Sequence, residues 1–183
     1  MSFVKLKNNF VVGDFIPTNI KNQYGYDTPL GFFGIKYCYI DINNPEKLIN
    51  IFPEKQQKDC TLSVMDINYN IPPHTDSGIS AIINFYIKSD NCVTQFYKIK
   101  NQNYNSMQIQ NQTDGIIFDK NDLEETVSFI AKDNEAYLLD VSQPHAVFSA
   151  DEKQMIQRKA ITLQIIGVEF EEAKEMLMET GQL

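Results

Sequence analysis

The sequence predicts a mainly β chain, an antiparallel sandwich or barrel with a few flanking helices, folded as one domain over residues 1–183. Three observations carry this. Short stretches rich in β-branched and aromatic residues recur, among them KYCYIDI (36–42), TLSVMDI (61–67), ISAIINFYI (79–87), CVTQFYKIK (92–100) and KAITLQIIGV (159–168). Good turn formers stand between such stretches, in SDN, NQTDG and KDN. Helical patterning is confined to two segments, and neither a repeat nor a linker divides the chain.

Taken in order, residues 14–35 (DFIPTNIKNQYGYDTPLGFFGI) hold Pro, Gly and aromatic residues without a clear period. They read as an irregular arm or lid, in which Tyr24, Tyr26, Phe32 and Phe33 could close over a substrate. NNPEKLINIF follows as a helix, with Asn44 as N-cap, Pro45 at the first position and Leu48, Ile49 and Phe52 on its apolar side. The strand series then runs through GIIF (115–118), VSFIA (127–131) and EAYLLDV (135–141). The chain closes on EFEEAKEMLMETG, a helix within 168–181. It is acidic at its start, apolar at Phe170, Ala173, Met176 and Leu177, and stopped by Gly181.

Composition excludes several function classes. Twenty-four acidic against 16 basic residues give a net charge of −8, the wrong sign for a protein whose main partner is a nucleic-acid backbone. No segment approaches the roughly 20 apolar residues that span a bilayer, and the first ten residues, MSFVKLKNNF, lack a signal-peptide pattern. Cys38, Cys60 and Cys92 are widely spaced and odd in number, which suggests neither a disulfide framework nor a zinc knuckle. The expectation is a soluble cytoplasmic protein without nucleic-acid or membrane partners.

The chemistry concentrates where histidine is spent. The chain has 2 histidines, and His74 stands two residues before Asp76 in NIPPHTDSG. In an extended segment these side chains share a face and can grip one metal ion, with Pro72 and Pro73 stiffening the approach. Read alone, such a pair is more often a polar turn. His145, in LLDVSQPHAVF, lies far enough along for intervening strands to bring it opposite His74. Two histidines and a carboxylate form the facial triad that leaves half of an octahedral iron open. Arg158 opens the last strand, sharing a face with Ala160, Thr162 and Gln164 while Lys159, Ile161, Leu163 and Ile165 face the other way. A guanidinium in a barrel mouth calls for an anion, and a dicarboxylate reaching from the metal would supply one.

PPHTD, QPHAV and RKAITL together resemble the HxD…H…R signature of the Fe(II)/2-oxoglutarate-dependent oxygenase superfamily, nearest to its small stand-alone prolyl-hydroxylase-like domains. The resemblance covers about residues 60–168, where it implies a double-stranded β-helix (jelly-roll) core. It implies His74, Asp76 and His145 as catalytic iron ligands and Arg158 as the anchor of the distal carboxylate of 2-oxoglutarate. It further implies Fe(II) and 2-oxoglutarate as cofactors, ascorbate as reductant, and hydroxylation of a C–H bond on a peptidyl (prolyl-type) side chain or an amino acid. One departure is Ala160, where many members carry Ser or Thr. Lys159 is the other cation available, but it points away from the Arg158 face.

Asn84 and Tyr86, in step with Ile82 on their strand, and Tyr69, just before the HxD segment, are weaker candidates for cosubstrate contact; Asn84 and Tyr69 are retained as cofactor-binding candidates. Two rival readings share the jelly roll. One is a cupin-like metalloenzyme that does not use 2-oxoglutarate, although cupins bring several closely spaced histidines with a glutamate. The other is a non-catalytic binding module.

Overall fold

A computed structural model of the chain describes residues 1–7, 10, 17–27, 33–42, 44–76, 78–108, 115–153 and 155–183. Thirteen strands form two antiparallel sheets among these residues. They are β1 (Phe3–Lys5), β2 (Pro17–Asp27), β3 (Phe33–Ile42), β4 (Cys60–Tyr69), β5 (Ile71–Thr75), β6 (Ala81–Lys88) and β7 (Cys92–Ile99), then β8 (Ser106–Gln108), β9 (Ile116–Phe118), β10 (Leu123–Ile130), β11 (Ala136–Asp140), β12 (His145–Ser149) and β13 (Met155–Ile165). The larger sheet runs β1-β11-β6-β13-β4-β3-β2, and the smaller runs β10-β7-β12-β5-β9-β8. Two four-stranded halves are embedded in this order, β11-β6-β13-β4 facing β10-β7-β12-β5. From β4 to β7, and again from β10 to β13, successive strands alternate between the sheets, which is the winding of a jelly roll. The chain is mainly β, as the sequence predicts.

The alternation of side chains explains why these strands read as almost continuous apolar runs. On β6, Ile83 and Phe85 face outward into one buried cluster while Ile82 and Tyr86 face into another. β11 divides likewise, with Ala136 and Leu138 outward and Tyr137 and Leu139 inward. On β13 the outward set is Ile161, Leu163 and Ile165, and Ala160 lies inward. Strands buried on both faces lose the polar half of the usual pattern. The interior between the sheets is therefore a second core, and a cavity opens within it.

Helices cover the outer face of the larger sheet. α3 (Phe170–Glu179) buries Phe170, Ala173, Met176 and Leu177, the same four residues its sequence marks as apolar. Each contributes about 1.5–3 kcal/mol where a large side chain leaves water. Gly181 ends the helix with φ +76, and the Gln182 N–H returns to the Leu177 carbonyl at 2.8 Å. The earlier helix is shorter than its sequence suggests. α1 covers only Glu46–Ile49, with a further single turn α2 at Glu54–Gln57. Asn44 is not its N-cap: it adopts φ 56, and the cap position falls on Pro45. Leu48, Ile51 and Phe52 are nevertheless buried against the same sheet as α3.

The segment expected as an irregular arm is instead largely strand. β2 pairs antiparallel with β3 at the edge of the larger sheet, and its register slips three times, at Pro17/Asn19, Ile20/Asn22 and Gly25/Asp27. Each slip resets the two-residue alternation, which is why the sequence shows no period there. Phe32 lies outside the described residues, as do the side chains of Tyr24, Tyr26 and Phe33, so the lid expectation falls outside them too. No helix among the described residues is long and apolar enough to cross a membrane.

Candidate metal and anion site

β5 and β12 are neighbours in the smaller sheet, and their register places His145 directly opposite His74. The imidazole ring centroids lie 4.3 Å apart. β5 carries Pro72 and Pro73 within a central strand, normally an unfavourable place for a residue without an N–H. The ladders accommodate them. Pairing to β9 involves only His74 and Thr75, and the register to β12 shifts between His74 and Ile71. The prolines thus occupy the one stretch where the strand has little hydrogen bonding to lose. Asp76 follows one residue past the strand, on the His74 side, and its N–H is held by the Val141 carbonyl at 3.1 Å.

The ring orientations prepare both histidines for ligation. His74 Nδ1 lies 2.9 Å from the Pro72 carbonyl and His145 Nδ1 lies 3.0 Å from the Gln143 carbonyl. A carbonyl only accepts, so each Nδ1 carries the proton and donates it, leaving Nε2 with a free lone pair. His74 Nε2 is 3.7 Å from Asp76 Oδ1, and ligand atoms of His74, Asp76 and His145 all lie within 4.8 Å of one another. Ligands about 2.1 Å from one ion stand roughly 3 Å apart when adjacent, so small side-chain rotations complete the set. Burial, with the neighbouring His74 and Arg158 charges, holds the His145 imidazole well below its ordinary range and hence neutral near pH 7. Burial raises the Asp76 carboxyl above the ordinary carboxylate range, while His74 pulls it back. A divalent cation would satisfy all three groups at once. This donor set, two imidazoles and one carboxylate, is compatible with a divalent metal ion.

Arg158 faces the triad from the opposite sheet and lines the same cavity. It is 2% exposed, and its Nη2 donates to the Tyr86 hydroxyl and, at 2.8 Å, to Thr94 Oγ1. The guanidinium carbon lies 4.7 Å from the centre of the Tyr86 ring. Among the described residues, buried Nε and Nη1 have no hydrogen-bond partner, and no carboxylate pairs with this cation. Each unsatisfied buried donor costs about 1–3 kcal/mol, more when charged. An anion entering the cavity could satisfy both donors. Ile67, Ile82, Leu139 and Val147 supply apolar wall between cation and triad.

The remaining candidates divide. Asn84 lines the cavity, and its Oδ1 accepts from Thr162 Oγ1 at 2.7 Å, which turns the amide nitrogen away from that bond. Tyr69 is not among the residues that line the cavity. It shares strand parity with the wall residues Met65 and Ile67, but it is the last residue of β4, level with Met155 and past the bulge that precedes Arg158. Ala160 is fully buried, and the hydroxyls that reach Arg158 come from Tyr86 and Thr94 on β6 and β7. Thr94 is the residue sequence reasoning missed. Its signal was strand parity with Phe96, both facing inward on CVTQFYKIK.

No protein-family model matches the chain, and neither does any curated protein sequence. Among solved structures it is similar to vicilin from Corylus avellana (hazelnut), with a TM-score of 0.39 and 10% identity. The match covers 81% of this chain and 30% of the vicilin chain.

Proposed function

We propose that the protein is an Fe(II)- and 2-oxoglutarate-dependent dioxygenase that hydroxylates a C–H bond. The observation that carries this reading is Arg158: a buried cation with two unpaired nitrogens in the same cavity as a His/Asp/His cluster. A metal site alone would leave that cation unexplained. A dicarboxylate chelating the metal at one end and meeting the guanidinium at the other accounts for both. The sequence resemblance of PPHTD, QPHAV and RKAITL to the oxygenase signature supports the same assignment.

In this reading His74, Asp76 and His145 hold the iron, and the Pro72 and Gln143 carbonyls keep both rings in the ligating tautomer. Arg158 binds the distal carboxylate, with its plane fixed by Tyr86 and Thr94. Asn84 offers its amide nitrogen to the cosubstrate. The apolar wall excludes water from the reacting end. When bound, the iron and cosubstrate pair supplies oxidative decarboxylation of 2-oxoglutarate coupled to C–H hydroxylation, with ascorbate keeping the metal ferrous. A peptidyl side chain or an amino acid is the substrate class, in a cytoplasmic setting that suits the free thiols of Cys60 and Cys92. The acidic chain disfavours nucleic acid.

The test is thermal denaturation of the full chain with Mn(II) or Fe(II), 2-oxoglutarate and its unreactive N-oxalyl analogue, alongside succinate release. Stabilisation by both ligands only with metal present, and metal-dependent succinate, are expected. Stabilisation by metal alone would leave a cupin-like metalloenzyme; no response to either would leave a binding module.

A further inference from the structure

The turn joining β11 to β12, residues 140–144, touches two of the three candidate ligands. Its Val141 carbonyl accepts the Asp76 N–H at 3.1 Å, and its Gln143 carbonyl accepts His145 Nδ1–H at 3.0 Å. A buried carboxylate braces the side chains of this turn. Asp140, 8% exposed, accepts from Ser142 Oγ at 2.5 Å through Oδ1 and from Gln143 Nε2 at 2.6 Å through Oδ2. The Gln143 side chain is held at its other end, where Oε1 accepts from Ser2 Oγ at 2.8 Å. The Ser2 carbonyl in turn accepts the Asp140 N–H at 2.9 Å, closing a ring through the strand β1 edge. Pro144 restricts Gln143 to an extended backbone, and its own carbonyl is tied to the Tyr97 N–H at 2.8 Å.

We propose that Asp140 is a positioning residue for the metal centre: by clamping Ser142 and Gln143 it aims the Val141 and Gln143 carbonyls that hold Asp76 and His145 in ligating orientation. This inference rests on the metal-binding reading above. A carboxylate is suited to the task because it accepts from both donors at once, in charge-assisted bonds about twice as strong as neutral ones. Asparagine at this position would keep one acceptor and turn a donor against the other. Alanine would leave the Gln143 amide held by Ser2 alone and loosen the turn that presents its carbonyl to His145. Groups that hydrogen-bond a ligand directly, as the Gln143 carbonyl does, typically change metal affinity 10- to 100-fold when lost, and Asp140 acts through them.

The experiment uses Co(II) as an oxygen-stable probe of the full chain, reading both affinity and the d–d absorption bands at saturation. Asp140→Ala is expected to bind Co(II) 10- to 100-fold more weakly, with shifted bands in the saturated protein, and Asp140→Asn to fall between it and wild type. A purely structural Asp140 would lower the melting temperature yet leave affinity and bands unchanged in the folded variants. That result would overturn the proposal. Should Asp140→Ala not fold, Asp140→Asn and Ser142→Ala decide by the same two readouts. Failure of the metal reading has a different signature, the absence of Co(II) bands in the wild-type protein, and it would remove this inference with it.

Discussion

His74 and His145 are direct cross-strand partners, on β5 and β12 of the smaller sheet, although 71 residues separate them in sequence (145 − 74). A directly opposed pair on adjacent antiparallel strands is the shortest way for a fold to place two imidazoles on one ion. Because the rings are set by the sheet ladder rather than by a loop, each should be replaceable without losing the fold. His74→Ala and His145→Ala are expected to abolish Co(II) binding at concentrations that saturate wild type, with unchanged far-ultraviolet circular dichroism. Retained binding in either variant would show that the metal sits elsewhere.

Arg158 separates stability from ligand binding. An unpaired buried cation is a burden on the empty protein, and replacing buried charge with a packed apolar side chain is often neutral or stabilising by about 1–4 kcal/mol. Arg158→Met should therefore unfold in urea at the wild-type midpoint or above it. The same variant should lose the thermal response to 2-oxoglutarate. A strongly destabilised variant would mean that the Tyr86 and Thr94 contacts fully compensate this cation.

Acid should weaken the metal-free protein through His145. Its folded imidazole resists protonation because burial and the His74 and Arg158 charges disfavour the cation, while the unfolded residue titrates near its usual 6.5. As pH falls through that value the unfolded chain takes up a proton that the folded chain refuses, so stability declines. Asp76 acts in the opposite sense, since its raised carboxyl favours the folded state on acidification. Comparing urea unfolding of wild type and His145→Gln at pH 7.5 and 5.5 isolates the histidine, because both chains keep Asp76. The wild type should lose more stability between the two pH values; equal losses would contradict the assignment.

Neighbouring positions on β13 should have unlike phenotypes. Leu163 faces the helices and is fully buried, so Leu163→Ala is expected to cost about 2–5 kcal/mol by chemical denaturation and to leave Co(II) affinity of the folded fraction intact. Thr162 faces inward and holds the Asn84 amide. Thr162→Val should cost less stability and weaken 2-oxoglutarate binding. A reversed pattern would place the cavity on the other side of the sheet.

Much of this was legible because it depends on parity. The inward set on β6 and β13 and the apolar face of α3 follow from periods of two and 3.6. The HxD pair was visible for the same reason. The opposition of His74 and His145 was not, since register between distant strands depends on the intervening topology. β2 was hidden by three register slips, and the cap at Asn44 by a left-handed turn that sequence preference does not forbid. Tyr69 marks the limit of this reasoning, because parity assigns a face but not where along a strand the cavity ends.

One cavity should bind a metal and a dicarboxylate together. Titrating 2-oxoglutarate into the Mn(II)-loaded full chain by calorimetry, against wild type and Arg158→Met, tests it most directly. One site per chain is expected, metal-dependent and weakened at least about tenfold in the variant, or about 1.4 kcal/mol, the minimum for losing a charge-assisted contact. Equal affinity in the two proteins, or binding that ignores the metal, would contradict it.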